Sequence, residues 1–313
     1  MMMNRILVTP RSLTTGGHPA LELLTRAGYE VVFSEAGKLP DEESLIHHMT
    51  DCVGWLAGVE PVSEKVINAA NKLRVISRNG VGIDNLPLDV LRERHIRVCT
   101  ADGANASGVA ELAIALMFAA LRHIHATSNG IKQGQWPRLQ GTEFRGQVLG
   151  VVGCGAIGRE VARLGCALGC RVLGFDPLQP DLNLPADAFR YATLEEIWQA
   201  ATMITLHCPP PKDGSVLIGE PQLAQMTPGT LIVNTARASL VNEEALIAAL
   251  DSGKLKAYAA DVFNEEPPRS LALAGHPCVI ATSHIGGFTR ESVDRATEMA
   301  VTNILKVLRE QSL

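Results

Sequence analysis

The sequence predicts an α/β protein with two doubly wound parallel sheets, each covered by helices on both faces. Apolar runs of four or five residues alternate with segments of helical period almost from end to end, a pattern typical of strands that are buried on both faces. The length of 313 residues also exceeds the size at which a single hydrophobic core usually stops growing. We therefore expect two α/β domains.

The first hundred residues alternate short strands with helices. Strands are predicted over residues 6–9, 30–33, 55–56 and 75–77 and at Val98. Helices are predicted between them, among others over residues 41–49 and 63–70. These elements make one small doubly wound unit, and a domain boundary is expected near residue 101.

The rest of the chain repeats the alternation on a larger scale. An apolar helix is predicted over residues 107–122, where Ser107 can act as the N-cap, and a further helix runs to a break at Gly134. Strands are predicted over residues 148–152, 171–175, 203–206, 231–234, 258–260 and 279–281. The last segment, residues 291–308, has the apolar spacing of a long amphipathic helix.

Composition excludes several classes of protein. A net charge of -5, with lysine and arginine scattered among acidic residues, makes a nucleic-acid partner unexpected. The seven cysteines form no C-x-x-C pair, so neither a zinc site nor another metal site nor a disulfide framework is expected. The start of the chain lacks the pattern of a signal peptide, and the longest apolar helix candidate is about half a membrane span. We expect a cytoplasmic protein without a membrane partner.

A glycine motif follows the strand predicted over residues 148–152. Gly153, Gly155 and Gly158 form a G-x-G-x-x-G pattern that leads directly into a helix. In this position the first glycine makes a tight turn, the second lets the backbone approach a pyrophosphate, and the third permits close packing of the helix on the strand. The N-terminus of the helix offers unpaired N–H groups to an anion.

Asp176 strengthens the prediction of a dinucleotide site. It ends the next predicted strand, eighteen residues after Gly158. A carboxylate there can accept hydrogen bonds from the hydroxyls of the adenine-side ribose and would repel a 2′-phosphate. A turn cap before Pro177 is the alternative interpretation, and the two are compatible. The sequence therefore predicts a Rossmann domain that binds NAD in preference to NADP.

Three further polar segments stand where predicted strands of the second sheet end. They cover residues 234–237, 261–268 and 283–287 and include Arg237, Glu266 and His284. Ligands of such sheets bind at the carboxyl ends of the strands. Taken singly, each of the three side chains could be an ordinary surface or turn residue.

Taken together, the segments resemble the D-2-hydroxyacid dehydrogenase family, and most closely its D-3-phosphoglycerate dehydrogenase branch. The resemblance covers nearly the whole chain and includes residues 77–85, 110–113, 134–136 and 205–209. It implies an NAD-dependent oxidoreductase that moves a hydride to or from C2 of a 2-hydroxy acid. The implied catalytic set is Arg237, Glu266 and His284. Imidazole can exchange a proton with the C2 oxygen, a carboxylate can orient it, and a guanidinium can hold the substrate carboxylate.

The resemblance also implies the binding residues and the domain arrangement. Substrate is expected at Asn79, Gly80, Val81 and Arg237. Cofactor contacts are expected at Gly153, Gly155, Ala156, Ile157, Gly158, Asp176, Cys208, Thr235, Ala236, Asp261, His284 and Gly286. Residues 1–100 with 286–313 are expected to form a flavodoxin-like substrate domain and residues 101–285 the NAD domain, with substrate bound between them. A homodimer formed through the helices after residue 101 is the implied assembly.

Departures from the family pattern leave the substrate open. Ala57 and Pro61 stand where the phosphoglycerate branch typically has an arginine and a lysine, and Ala238 stands where glycine is usual. A hydroxypyruvate or glyoxylate reductase is therefore an alternative to a phosphoglycerate dehydrogenase. An NAD-sensing, corepressor-like binding protein is an alternative of another class, although such a protein need not keep Arg237, Glu266 and His284.

Overall fold

The structure is a computed structural model that describes residues 4–310. These residues form two compact units. The first runs up to Asn105 and resumes at Arg290, and the second runs from Ala106 to Thr289. Each unit contains one parallel sheet with helices on both faces, so the predicted fold class is confirmed. The observed unit boundaries, after Asn105 and after Thr289, lie a few residues later than the expected boundaries after residues 100 and 285.

The first unit is built on a five-stranded sheet. In chain order the strands are β1 (Arg5–Val8), β2 (Glu30–Phe33), β3 (Cys52–Ala57), β4 (Val75–Arg78) and β5 (Arg97–Cys99). Their order in the sheet is β2-β1-β3-β4-β5, and every pair is parallel. The helices are α1 (Arg11–Gly16), α2 (Glu22–Arg26), α3 (Glu42–Met49), α4 (Glu64–Ala69) and α5 (Leu88–Glu93).

The second unit contains a seven-stranded sheet. The strands are β6 (Val148–Val152), β7 (Arg171–Phe175), β8 (Phe189–Tyr191), β9 (Met203–Leu206), β10 (Thr230–Asn234), β11 (Leu255–Ala260) and β12 (Val279–Ala281). The helices are α6 (Ala106–Leu121), α7 (Ile124–Lys132), α8 (Ala156–Ala167), α9 (Leu194–Ala200), α10 (Glu220–Gln225) and α11 (Glu243–Asp251). The parallel order β12-β11-β10-β9-β6-β7-β8 changes direction beside β6, and such a switch point opens a crevice for a ligand.

The final helix, α12 (Arg290–Glu310), belongs to the first unit. It buries one face, which includes Ala300, Val301 and Ile304, in a core cluster shared with β1 and β3. The amphipathic helix predicted for the end of the chain is thereby confirmed. No single helix within residues 4–310 has both the length and the apolarity to span a membrane, whereas α6 and α7 together, a bent pair, meet both criteria.

Two local predictions were wrong. Helix α6 begins at Ala106, so Ser107 lies inside its first turn and is not the N-cap. Strand β8 was not predicted, because its three residues place an exposed arginine between two partly buried aromatic residues and so show no apolar run.

Candidate active site

The glycine loop connects β6 to α8 at the switch point of the second sheet. Gly153 has a φ of 92°, and a Cβ on it would lie 2.6 Å from the carbonyl carbon of His207. A Cβ on Gly158 would lie 1.8 Å from the carbonyl oxygen of Gly153. A Cβ on Gly155 would meet open space. Only glycine fits the first and third positions, and the second leaves the backbone accessible to a ligand.

The N-terminus of α8 is free to bind an anion. Gly155 is the N-cap and makes no side-chain capping bond, and the first turn contains no acidic residue. The first N–H groups of a helix have no partner within it and lie at the positive end of its dipole. The loop and helix therefore fit the pyrophosphate of a dinucleotide.

Asp176 stands at the end of β7 and faces this loop. Its Oδ2 accepts a hydrogen bond from the backbone N–H of Cys154 at 2.9 Å, and its Oδ1 accepts one from the N–H of Leu178 at 2.9 Å. The two bonds fix the carboxylate and leave further acceptor capacity on both oxygens. Asp176 therefore caps the turn that follows β7 and also faces the glycine loop, where a dinucleotide ribose is predicted.

Two polar atoms near the ends of the adjacent strands β9 and β10 are buried without a partner among the described residues. They are Nδ1 of His207 and Oγ1 of Thr235. Nε2 of His207 lies 2.9 Å from Oγ1 of Thr205. Burial lowers the pKa of His207 to about 3 and raises the pKa of Cys208 to about 11, because each environment disfavours the charged form. Buried polar atoms usually have partners, so the free hydroxyl of Thr235 fits a ligand bound at this edge.

Asn234 organises the loop that carries Arg237. Its buried amide Nδ2 donates to the carbonyl oxygen of Arg237 at 2.9 Å and to the hydroxyl of Tyr258 at 3.1 Å. Its Oδ1 accepts from the N–H of Ala236 at 3.0 Å. A short 3-10 helix begins at Ala238, where φ is not positive, so alanine replaces the usual glycine without backbone strain.

Asp261 anchors the loop that follows β12. It is 1% exposed, and its Oδ1 accepts from the hydroxyl of Thr282 at 2.6 Å and from the N–H of Ile285 at 2.9 Å. Its Oδ2 accepts from the N–H of Gly286 at 2.7 Å. Because these bonds flank His284 on both sides, they fix the backbone on which the imidazole stands.

His284 and Glu266 form a hydrogen-bonded pair. Nδ1 of His284 lies 2.7 Å from Oε2 of Glu266, whose Oε1 accepts from the N–H of Phe263 at 3.1 Å. The side chains of the pair are 53% and 38% exposed. His284 has a φ of 55°, a conformation uncommon outside glycine and often found at functional positions. The structure thus brings together two of the three predicted catalytic residues, and it places Arg237 in the same unit.

The predicted substrate loop lies in the first unit, after β4. The N–H of Asn79 donates to the carbonyl oxygen of Ala57 at 2.9 Å, and the carbonyl oxygen of Gly80 accepts from the N–H of Ala101 at 2.9 Å. The side chain of Val81 is 41% exposed. Two neighbouring segments therefore hold the loop at the carboxyl edge of the first sheet.

Sequence reasoning missed two supporting residues. Asn234 was noted as part of a segment, but its role as a loop organiser depends on Tyr258, which stands on another strand. Glu60 is an acidic residue near the predicted substrate loop, and the structure buries it fully. Within residues 4–310 no group of three or more His, Cys, Asp or Glu side chains is placed to hold a metal ion.

Comparison with known proteins supports the same interpretation. Residues 114–286 match the family described as D-isomer specific 2-hydroxyacid dehydrogenase, NAD binding domain. The chain is 36% identical over 295 residues to D-3-phosphoglycerate dehydrogenase of Sus scrofa, an alignment that covers 93% of this chain and 55% of the relative. It is 37% identical over 252 residues to hydroxypyruvate reductase of Thermotoga maritima. That alignment covers 79% of this chain and 81% of the relative.

A solved structure has the same fold over almost the full length. The TT0316 protein of Thermus thermophilus superposes with a TM-score of 0.86 at 33% identity, covering 98% of this chain and 97% of that protein. This chain spans about half the length of the curated phosphoglycerate enzyme, whereas it spans most of the hydroxypyruvate reductase. The glycine loop, Asp176 and the His284–Glu266 pair all lie in the matched region, which is an NAD-binding domain. The chain belongs to the D-isomer-specific 2-hydroxyacid dehydrogenase family.

Proposed function

We propose that this protein is an NAD-dependent oxidoreductase that interconverts D-2-hydroxy acids and 2-oxo acids. The observation that carries the proposal is the hydrogen bond of 2.7 Å between Nδ1 of His284 and Oε2 of Glu266. A histidine held by a carboxylate at one ring nitrogen keeps the other nitrogen for a reacting group. In the family, bound NAD supplies or accepts the hydride.

His284 is the proton-transferring group in this proposal. With Nδ1 bonded to Glu266, Nε2 has no hydrogen-bond partner among the described residues. Protonated, it gives its proton to the C2 oxygen as a 2-oxo acid is reduced, and neutral, it removes that proton in the reverse reaction. Glu266 orients the ring and stabilises the imidazolium.

Arg237 and the substrate loop bind the acid. The guanidinium of Arg237 holds the substrate carboxylate and polarises the C2 oxygen, because its planar fork matches the geometry of a carboxylate. The backbone N–H groups of residues 79–81 are assigned to the same carboxylate. In this proposal residues 1–100 with 286–313 form the substrate domain and residues 101–285 the NAD domain.

Several residues are assigned to the cofactor. Backbone groups of the glycine loop and of α8 bind the pyrophosphate, and Asp176 binds the adenine-side ribose. The remaining assigned contacts are Ala156, Ile157, Cys208, Thr235, Ala236, Asp261, His284 and Gly286. Among these, the free buried hydroxyl of Thr235 gives the most direct structural support.

A homodimer is the proposed assembly. Four large apolar side chains after α6 are exposed: Ile124 (53%), Ile131 (55%), Trp136 (80%) and Leu139 (49%). Exposed apolar residues grouped along a short stretch of chain are typical of interfaces. Because all seven cysteines are free, we also propose a reducing, cytoplasmic location.

The test is NADH consumption with a panel of 2-oxo acids: hydroxypyruvate, glyoxylate, pyruvate and 3-phosphohydroxypyruvate, each repeated with NADPH. We expect turnover of at least one acid with NADH. Tight NADH binding without turnover of any acid would favour an NAD-sensing protein instead. The ranking of the acids decides between a phosphoglycerate enzyme and a hydroxypyruvate or glyoxylate reductase, of which we propose the latter because Ala57 and Pro61 cannot bind a phosphate through their side chains.

A further inference from the structure

A fully buried acidic side chain stands beside the substrate loop. Glu60 is 0% exposed, and its Oε1 accepts hydrogen bonds from the N–H of Gly58 at 2.9 Å and from the hydroxyl of Thr9. Its Oε2 is buried and has no hydrogen-bond partner among residues 4–310. Both donors to this carboxyl are uncharged, and no salt bridge to it forms among the described residues.

The fold places this carboxyl at the edge where substrate is proposed to bind. Thr9 follows β1, Glu60 stands three residues after β3, and Asn79 follows β4, and these strands are neighbours in the sheet. The N–H of Gly58 also donates to Oγ1 of Thr9 at 3.2 Å. The ends of β1 and β3 therefore meet at the carboxyl, and the end of β4 lies beside that of β3 in the sheet.

Hydrogen bonds join the backbone of Glu60 to Asn85, four residues after the substrate loop of residues 79–81. Nδ2 of Asn85 donates to the carbonyl oxygen of Glu60 at 2.6 Å, and the N–H of Val62 donates to the carbonyl oxygen of Asn85 at 3.1 Å. The near end of the loop is joined to the end of β3 through Asn79 and Ala57. The acidic segment and the substrate loop thus form one hydrogen-bonded unit.

Glu60 occupies the space that a side chain at position 58, directly after the C-terminal end of β3, would need. A Cβ on Gly58 would lie 2.6 Å from Oε2 of Glu60 and 3.2 Å from Cα of Pro10. A larger residue at position 58 would therefore displace the carboxyl. At this point of the edge the protein has an acidic group instead of a basic one.

We expect the charged groups at the carboxyl edge of the first sheet to influence which substrates bind there. A buried charge acts through a medium of low dielectric constant and is screened less than an exposed one. Two cations stand at the carboxyl ends of strands in this sheet: Arg78, 8% exposed at the end of β4, and Arg11, exposed at the start of α1. Neither forms a salt bridge with Glu60 among the described residues. A second anionic group on a substrate would therefore approach a carboxyl that has no salt-bridge partner, with Arg78 and Arg11 as the neighbouring cations.

We propose that Glu60 is a specificity-determining residue that disfavours 2-oxo acids with a second anionic group and so favours small uncharged ones. The proposal rests on the proposed function, because it assumes that residues 79–81 bind the acid. It makes the substrate preference a consequence of the acidic side chain that the protein buries beside the substrate loop, in addition to the basic residues that it lacks.

The test compares kcat/KM for 3-phosphohydroxypyruvate and hydroxypyruvate in the wild-type protein, in Glu60→Gln and in Glu64→Gln. Glu64 is exposed in the first turn of α4 and serves as the matched control. We expect the wild-type protein to prefer hydroxypyruvate, Glu60→Gln to move the ratio of the two kcat/KM values towards the phosphorylated acid by tenfold or more, and Glu64→Gln to leave it unchanged. A role in stability alone would lower the amount of active protein without changing this ratio.

Glu60→Met is a second variant that keeps the test decisive if Glu60→Gln does not fold. Glu60→Met removes the same charge without adding an amide N–H that lacks an acceptor, and apolar replacement of buried charges is often tolerated. An unchanged ratio in either folded variant overturns the inference, as does a tenfold wild-type preference for the phosphorylated acid. Absence of turnover with every acid would instead refute the proposed function, and the inference with it.

Discussion

The imidazole of His284 and the carboxylate of Glu266 meet across 2.7 Å, although the two residues are 18 positions apart in the chain. The geometry assigns the Nδ1 proton to this bond, since an ionised carboxylate can only accept. Nε2 therefore remains as the nitrogen that can exchange a proton with substrate.

Replacing His284 with alanine should lower kcat by roughly a hundredfold or more, which is the usual scale for loss of a positioned general acid. The affinity for NADH should be largely retained, because the glycine loop and Asp176 are untouched. Steady-state kinetics and fluorescence titration with NADH measure the two quantities. Unchanged turnover would remove the proton-transfer role from His284.

Replacing Glu266 with glutamine should shift the efficient range of 2-oxo acid reduction to lower pH, because the imidazolium loses a neighbouring negative charge. The pH dependence of kcat/KM measures this shift. Glu265→Gln is the control, since Glu265 pairs with Arg269 at 3.4 Å on the exposed side of the same turn. Equal profiles for the two variants would show that the bond to His284 has no part in the reaction.

Asp176→Ala should narrow the preference for NADH over NADPH by roughly tenfold, the effect of losing a charged hydrogen-bond acceptor worth about 1.4 kcal/mol. The comparison is kcat/KM for both cofactors, with Asp187→Ala as an exposed control. Equal use of both cofactors by the wild-type protein would show that Asp176 does not select between them.

His207→Gln should make the protein less sensitive to acid. The folded-state pKa of about 3 lies below the value of about 6.5 for an unfolded chain. Between these values the unfolded chain binds a proton that the folded protein does not, so stability falls as pH drops through that window. Glutamine does not titrate.

The measurement is the free energy of unfolding in urea at pH 7 and pH 5. The loss between the two should be smaller in the variant by about 1 to 2 kcal/mol. His125→Gln, at an exposed position, should lose as much stability as the wild-type protein. An equal loss in His207→Gln would show that this imidazole is protonated in the folded state as readily as in the unfolded chain.

The strand pattern was predictable from sequence because most strands are buried on both faces and read as apolar runs. Five of the predicted strands coincide with those observed: Glu30–Phe33, Val148–Val152, Arg171–Phe175, Met203–Leu206 and Val279–Ala281. Strand β8 was not predicted, because it lies at the edge of its sheet and its residues alternate in exposure. Helix α6 begins one residue earlier than predicted, because an N-cap signal is a local preference that the tertiary structure can override.

Parts of the site could be predicted and parts could not. The close approach of Gly158 to Gly153 follows from a motif whose spacing has a steric cause. The roles of Asn234, as an organiser of the Arg237 loop, and of Glu60, as a buried neighbour of the substrate loop, depend on partners from distant strands. Such partners are set by strand order and register, which one sequence does not specify.

The exposure of Trp136 has a spectroscopic consequence. The chain contains 3 tryptophans, of which Trp55 and Trp198 are 0% and 2% exposed whereas Trp136 is 80% exposed. Emission from the two shielded indoles should be blue-shifted and inaccessible to iodide, while that of Trp136 should be red-shifted and quenched. The protein therefore carries an intrinsic optical reporter at the surface proposed for self-association, and the quenchable fraction of its fluorescence should fall as protein concentration rises and copies pair.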